Sequence, residues 1–242
     1  MLKLHFGKAN AKLIRLERKL GKKVFTFSTL SGFSCPAAHH CQSFAIETKD
    51  GRRIKDGKNN RFRCFSASQE VLFTNVYNTR KANMELIKLA AIDKKAAVNT
   101  VIQQLPKKCQ ILRIHVAGDM KTQAYFDVWL EVARRRPDIS FYAYTKSIPF
   151  WIKRMGVIPA NFSLVASIGG KFDQLALDSG LKTATVVDNE HDALMAGLEI
   201  DHDDSLALLG KNSFALLIHG TQKGKNNARS YGYSRQRLSK VG

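Results

Sequence analysis

No apolar run in this chain approaches the roughly 20 residues needed to cross a bilayer, so a helical membrane protein is not expected. The stretch MLKLHFGKANAKLIRLERKLGKK is basic and lacks the roughly 7–15-residue apolar segment and cleavage site of a secretory signal. The expected setting is therefore cytosolic and reducing. There, four cysteines read as thiols or metal ligands rather than as a disulfide frame. Also missing are GxSxG, a Walker loop and HExxH, so hydrolase and P-loop readings have no support. Internal repeats and long low-complexity runs are absent too.

Acid is scarce in particular places. The formal net charge is +19 over 242 residues. Residues 1–23 contribute +7, Glu47–Arg63 +4, and Thr221–Gly242, which holds no acid, +6. The remaining body is nearly neutral. Cations gathered on two ends and one loop suit a polyanion, and nucleic acid, DNA or RNA, is the expected partner. The candidate contacts are Arg52, Arg53, Lys58 and Arg61 in the loop and Lys223, Lys225, Arg229 and Arg235 in the tail. The division expected is a basic segment 1–22, a domain 23–220 and a basic flexible tail 221–242. With 44% apolar residues, the domain can form a real core.

The body alternates strand and helix. Strands are expected at KVFTFST (Lys23–Thr29), QILRIHVAGD (Gln110–Asp119), ISFYAYTKS, FSLVASIGG, TATVVD and SFALLIHG. One long helix is expected from Ser66, with Ser66 or Ser68 as its cap and Glu70 in its first turn, and another over Thr122–Arg136. Such alternation implies a mostly parallel α/β sheet. In the second strand Leu112, Ile114 and Val116 alternate with Arg113, His115 and Ala117; in the third, Tyr142, Tyr144 and Lys146 alternate with Phe141, Ala143 and Thr145. One polar face favours a curled sheet or partial (β/α)6-like barrel with a wet interior over a flat sheet covered on both sides.

The segment SGFSCPAAHHCQSF follows the first strand, so Cys35 and Cys41 lie at the carboxyl end of the sheet, where ligands bind. Cys64 returns to that end after a basic excursion that reads as a hairpin turning at KDGRR or KDGKNN. Cys109 precedes a strand and belongs at the opposite end, in a structural role. Three converging thiols admit three explanations. Zinc would take His39 or His40 as a fourth ligand, although the C-x5-C spacing is not that of common structural sites. An iron–sulfur cluster would leave one iron open to a small molecule. The third explanation is unliganded cysteines. Further candidates around the mouth are Gly118 and Asp119, where Asp119 or Thr122 also suits a helix cap, and Lys146, Ser167, Gly169, Gly170 and His219. The acidic stretch EIDHDDS is better suited to starting a helix than to binding a divalent ion.

Several segments carry a resemblance. SGFSCP, DGKNNRFRCFSAS, RIHVAGDMKTQAYFDVWLEVARRRPDISFYAYTKSIPFW, IDHDDS and FALLIHGTQKG resemble the phage "gene product 88" family, which implies action inside a bacterial host cytoplasm. The order strand, cysteine loop, helix, strand–Gly-Asp is also similar to radical S-adenosylmethionine enzymes. That similarity implies a [4Fe–4S] cluster on Cys35, Cys41 and Cys64. It implies S-adenosylmethionine near Gly118, Asp119, Ser167 and Gly169, with Asp119 meeting the methionine amino group. Asp119, His115 and Lys146 would then be the catalytic candidates, and Arg113, His115, Tyr142, Tyr144 and Lys146 the cavity lining. The compact C-x3-C-x2-C of those enzymes is absent here. The alternative is a non-enzymatic nucleic-acid-binding protein with structural zinc or bare thiols.

Overall fold

The first segment of the chain is already part of the fold. In the computed structural model, which describes residues 2–218, a short strand β1 (Phe6–Lys8) leads into helix α1 (Ala11–Leu20). Asn10 caps α1 by accepting from the Leu13 amide, and Gly21 ends it in the left-handed conformation. Leu13 and Leu16 are fully buried; Arg15 and Arg18 are exposed, while Lys12 and Lys19 reach Asp204 and Asp203. Residues 2–22 thus supply an edge strand and a core helix.

Strand β2 (Val24–Phe27) follows, and then a hairpin, β3 (Ser43–Thr48) and β4 (Gly51–Asp56), which forms a separate two-stranded sheet. The hairpin turns at Lys49–Asp50, the first of the two expected positions. Three helices follow: α2 (Phe65–Leu72), α3 (Thr74–Ile92) and α4 (Lys94–Gln104). The one long helix expected from Ser66 is two, broken where Phe73 takes an extended conformation. The N-cap is Cys64 and neither serine. Ser66 is buried and donates to the Val116 carbonyl at 3.3 Å.

The chain then alternates strand and helix, with two helices before the last strand: β5 (Ile111–Ile114), α5 (Gln123–Arg135), β6 (Ser140–Thr145), α6 (Ile148–Ile152), β7 (Phe162–Ser167), α7 (Asp173–Asp178), β8 (Thr183–Val187), α8 (Glu190–Met195), α9 (Ser205–Leu209) and β9 (Phe214–Leu217). The main sheet runs β1-β2-β5-β6-β7-β8-β9. β1 is antiparallel to β2 and every other pairing is parallel. Six parallel strands therefore follow one another in chain order, as in a (β/α) barrel, but the sheet stays open. The expectation of a curled, mostly parallel sheet with flanking helices holds.

Alternation along β5 and β6 sorts the two faces. On the outer face Leu112, Ile114, Phe141 and Ala143 pack under Phe126, Trp129 and Val132 of α5 and Leu86 of α3. On the inner face Ile111, Tyr142, Val165 and Ala184 pack against Leu13 and Leu16 of α1 and Ala207 of α9. The two helices fill one end of the concave face and leave the end at the strands' carboxyl termini open.

Candidate functional site

The polar residues of the concave face are organised around one carboxylate. Asp204 precedes α9 in a left-handed backbone conformation, φ 67°, which turns its side chain inward instead of onto its own helix. It pairs with Arg113 and with Lys12 and accepts from Tyr142 Oη at 2.9 Å and Tyr144 Oη at 3.1 Å. Burial alone would raise its pKa, but Arg113 and Lys12 hold it below the ordinary carboxylate value. The acidic stretch does start a helix, through Asp201 and Asp203, which accept from the Ala207 and Ser205 amides. Asp204 instead neutralises the cations of the sheet's inner face, a role the charge pattern did not reveal.

Above this floor lies a cavity of about 220 Å³. Cys35, Cys41 and Cys64 line it together with Arg113, His115, Gly118, Asp119, Tyr144, Lys146 and Ser167 on one side. Val186 and Leu216–Ile218 close the other side. All three cysteines thus line the same cavity. Tyr142 is buried beneath, bound to Asp204, and does not reach the lining.

Buried polar bridges hold the three thiols at the mouth. The Cys35 loop is tied to the end of β5 through Ser34, whose hydroxyl donates to the Leu30 carbonyl and accepts from the Asp119 amide. Gly118 permits this approach: its φ is +86°, and a Cβ there would lie 2.1 Å from Thr29 Oγ1 and 2.5 Å from Ser34 Oγ. The same loop is tied to the end of β7, where the His40 amide donates to the Gly169 carbonyl and Lys171 binds the Ala37 and Pro36 carbonyls. Cys64 is set by Ser43, whose hydroxyl accepts from the Cys64 and Asn60 nitrogens. Glu70 joins the two cysteine segments: its carboxylate accepts from the amide and hydroxyl of Ser31 and pairs with Arg80 at 2.9 Å. It is a buried bridge rather than the first-turn charge expected.

Electrostatics oppose ionising the thiols as they stand. Burial pushes Cys35 up, with Asp119, Cys64 and Cys41 adding to it, and raises Cys41 to about 11, where Lys146 pulls the other way. Any metal group bound here would have to displace these protons. Among the described residues no group of three or more His, Cys, Asp or Glu side chains is placed to hold a single metal ion. Neither His39 nor His40 is in the cavity lining. His40 is buried, and that burial, with Arg61 and His39 nearby, lowers its pKa to about 4.

The other candidates fall into place unevenly. Asp119 accepts from Thr145 Oγ1 at 2.6 Å and from the Met120 and Lys146 amides. It thus joins the end of β5 to the end of β6, and its carboxylate oxygens already have protein partners. Burial raises its pKa against those bonds. Thr122, not Asp119, caps α5. Lys146 donates to the Ser167 carbonyl, the Ser167 hydroxyl and the Ile168 carbonyl, so it fastens β6 to β7. His115 adopts φ 65°, packs on Phe27 and Tyr125, and is lowered by burial to about 4. It is a neutral imidazole whose buried Nε2 has no hydrogen-bond partner. Gly169 and Gly170 donate to Asp173. Cys109 is buried in the outer core, at the opposite end as expected. Arg52 is engaged by the Glu70 carbonyl, Thr74 and the Tyr77 ring, whereas Arg53, Lys58 and Arg61 are exposed. His219, Lys223, Lys225, Arg229, Arg235 and the whole segment 221–242 lie outside the described residues.

Fold and site together define an open parallel α/β domain with a thiol-lined mouth at the carboxyl ends of its strands. The chain belongs to the Gene product 88 family, whose model matches residues 4–236; this is the phage family that the sequence resembles. No curated protein and no solved structure matches the chain. No helix among the described residues is long and apolar enough to cross a membrane.

Proposed function

We propose that this protein is an iron–sulfur enzyme of the radical S-adenosylmethionine type, acting on a nucleic acid or nucleotide-like substrate. The observation that carries the reading is that Cys35 and Cys41, from one loop, and Cys64, from a second segment, line one cavity at the carboxyl ends of six sequential parallel strands. When bound, a [4Fe–4S] cluster and S-adenosylmethionine supply one-electron chemistry. The chain's own residues do the rest. Gly118 and Ser167 bring backbone and a small side chain to the cavity edge, whereas Gly169, bound to Asp173 and His40, is not in the lining. Lys146 places a cation near Cys41, which favours thiolate there. Asp119 locks the ends of β5 and β6 at fixed separation. Val186 and Leu216–Ile218 exclude water from the far wall. The cavity is smaller than the roughly 300 Å³ of common ligand sites, so a compact cluster suits its interior and the organic cofactor its mouth.

Anaerobic preparation of the full chain with iron and sulfide analysis is the test. On the order of four irons per chain and broad visible absorption are expected. Cys35→Ser, Cys41→Ser and Cys64→Ser should each lose the iron, and Cys109→Ser should keep it. The second reading is a non-enzymatic nucleic-acid-binding protein with structural zinc or bare thiols. The raised Cys35 and Cys41 pKa values favour it, because they keep unliganded thiols protonated. Stoichiometric zinc, or colourless protein without metal, would put that reading in place of the first.

A further inference from the structure

The β3–β4 hairpin stands outside the main sheet, between Cys41 and Cys64, so its root is at the cavity mouth. Strand alternation gives it two unlike faces. One face packs on α2 and α3 and holds its paired acids: Glu47 meets Lys81, and Asp56 meets Arg63. The opposite face presents Phe44, Ile46, Thr48, Arg53 and Lys55, and no acid. Arg53 and Lys55 are exposed, and Phe44 and Ile46 half-buried. Register places Phe44 directly across from Lys55 and Ile46 across from Arg53, so each apolar side chain lies beside a cation. Phe33, from the cysteine loop, is 39% exposed and meets the Phe44 ring edge-on at 5.2 Å. Exposed Lys58 and Arg61 extend the positive line toward the mouth, where the Arg61 and Phe62 amides donate to the His40 carbonyl.

We propose that this face, Phe33, Phe44, Arg53 and Lys55 with Lys58 and Arg61, is the docking surface for single-stranded nucleic acid and leads it to the cavity. The proposal rests on the nucleic-acid substrate suggested above and is independent of the cluster. A solvent-facing aromatic ring among cations takes an unpaired base by stacking while the cations take phosphates; a duplex hides its base faces. An acidic peptide would use the cations alone and leave Phe33 without a role.

The test is fluorescence anisotropy of the full chain with labelled oligo(dT), oligo(U), a DNA duplex and polyglutamate over a salt series. Arg53→Ser/Lys55→Ser should lower the log–log salt slope for single strands by about 1.4, at roughly 0.7 per phosphate contact. The control Lys107→Ser/Lys108→Ser removes the same charge at the other end of the sheet, beside Cys109, and should leave the slope unchanged. Phe33→Ala should weaken single-strand binding about tenfold without changing the slope, and Phe33→Leu should not restore it. Circular dichroism checks that each variant is folded. Equal slope losses in the two double variants, no effect of Phe33→Ala, or tighter binding of duplex or polyglutamate would each overturn the assignment of this face. If the parent binds single strands and the hairpin variants do not matter, only the surface is wrong. If the parent binds no nucleic acid at low salt, the substrate reading fails with it.

Discussion

Removing Arg80 tests whether the cysteine segments are held together by the buried bridge. Arg80 is 8% exposed and Glu70 fully buried. Arg80 pairs with Glu70 and donates to the Ser66 carbonyl at 3.1 Å. Arg80→Met keeps most of the side chain's volume and leaves the carboxylate with only the Ser31 amide and hydroxyl. Breaking a buried pair in this way costs about 3–5 kcal/mol. For a chain of this size that is a fall of about 6–20 °C in Tm. The loss should depend on pH. Glu70 is already raised above its ordinary 4.5, by burial against the opposing pull of Arg80 and Ser31, and without Arg80 it rises further. A carboxyl with a raised folded-state pKa costs stability above that pKa, and the cost disappears as pH falls toward the unfolded value. The Tm deficit of Arg80→Met should therefore be largest at neutral pH and shrink toward pH 4.5. Pairing it with Glu70→Gln should recover part of the loss, with a coupling energy of about 1–3 kcal/mol. Thermal melts of the four proteins between neutral pH and pH 4.5 measure this. A deficit under about 1 kcal/mol, or one that does not vary with pH, would refute the bridge as described.

Three other outcomes follow from the same geometry. Gly118→Ala puts a Cβ 2.1 Å from Thr29 Oγ1 at a φ of +86°, so it should cost about 1–3 kcal/mol and, on the cluster reading, lower iron content; denaturant melts and iron analysis check both. Asp204→Asn leaves Arg113 and Lys12 without their counter-charge and should cost about 3–5 kcal/mol by the same melts. In the parent, Asp204 has a lowered folded-state pKa, so its contribution is present above pH 3.8 and is lost as pH falls below it, a dependence that Asp204→Asn should abolish. Trp129→Ala, in the fully buried outer core, should cost about 3–5 kcal/mol without altering thiol reactivity at the mouth beyond what global unfolding explains.

The parts of the fold that were legible are those in which a local pattern carries the information. Alternation in Leu112–Arg113–Ile114 and Phe141–Tyr142–Ala143–Tyr144 marked two unlike faces, and the strand–helix rhythm marked a parallel sheet. Helix α1 was hidden because Lys12, Arg15, Arg18 and Lys19 surround Leu13 and Leu16, and net charge is insensitive to which side of a helix carries it. The break at Phe73 opens a run of weak helix formers, Phe73–Thr79, a signal too slight on its own to separate two helices from one.

The mouth was legible as an address but not as a construction. The cysteines could be assigned to one end of the sheet because each sits just after a strand or just before a helix. What brings them together is a set of buried polar contacts between residues far apart in sequence: Ser34 to Asp119, Ser43 to Cys64, Ser31 to Glu70 and Arg80, His40 to Gly169. Serines of this kind have no periodicity and belong to no motif, so they look like ordinary loop polarity until the partner is seen. The same holds for Asp119 and Lys146. Their residue types suggested chemistry, but their atoms are bound to the ends of neighbouring strands. If those bonds fix where the three sulfurs stand, then neutralising either residue should disturb thiol spacing before it disturbs any reaction. On the cluster reading, Asp119→Asn and Lys146→Met are expected to lower iron uptake in the full chain while leaving the far-ultraviolet circular dichroism of the sheet intact. Full iron content in both variants would show that the bonds of Asp119 and Lys146 do not fix where the sulfurs stand.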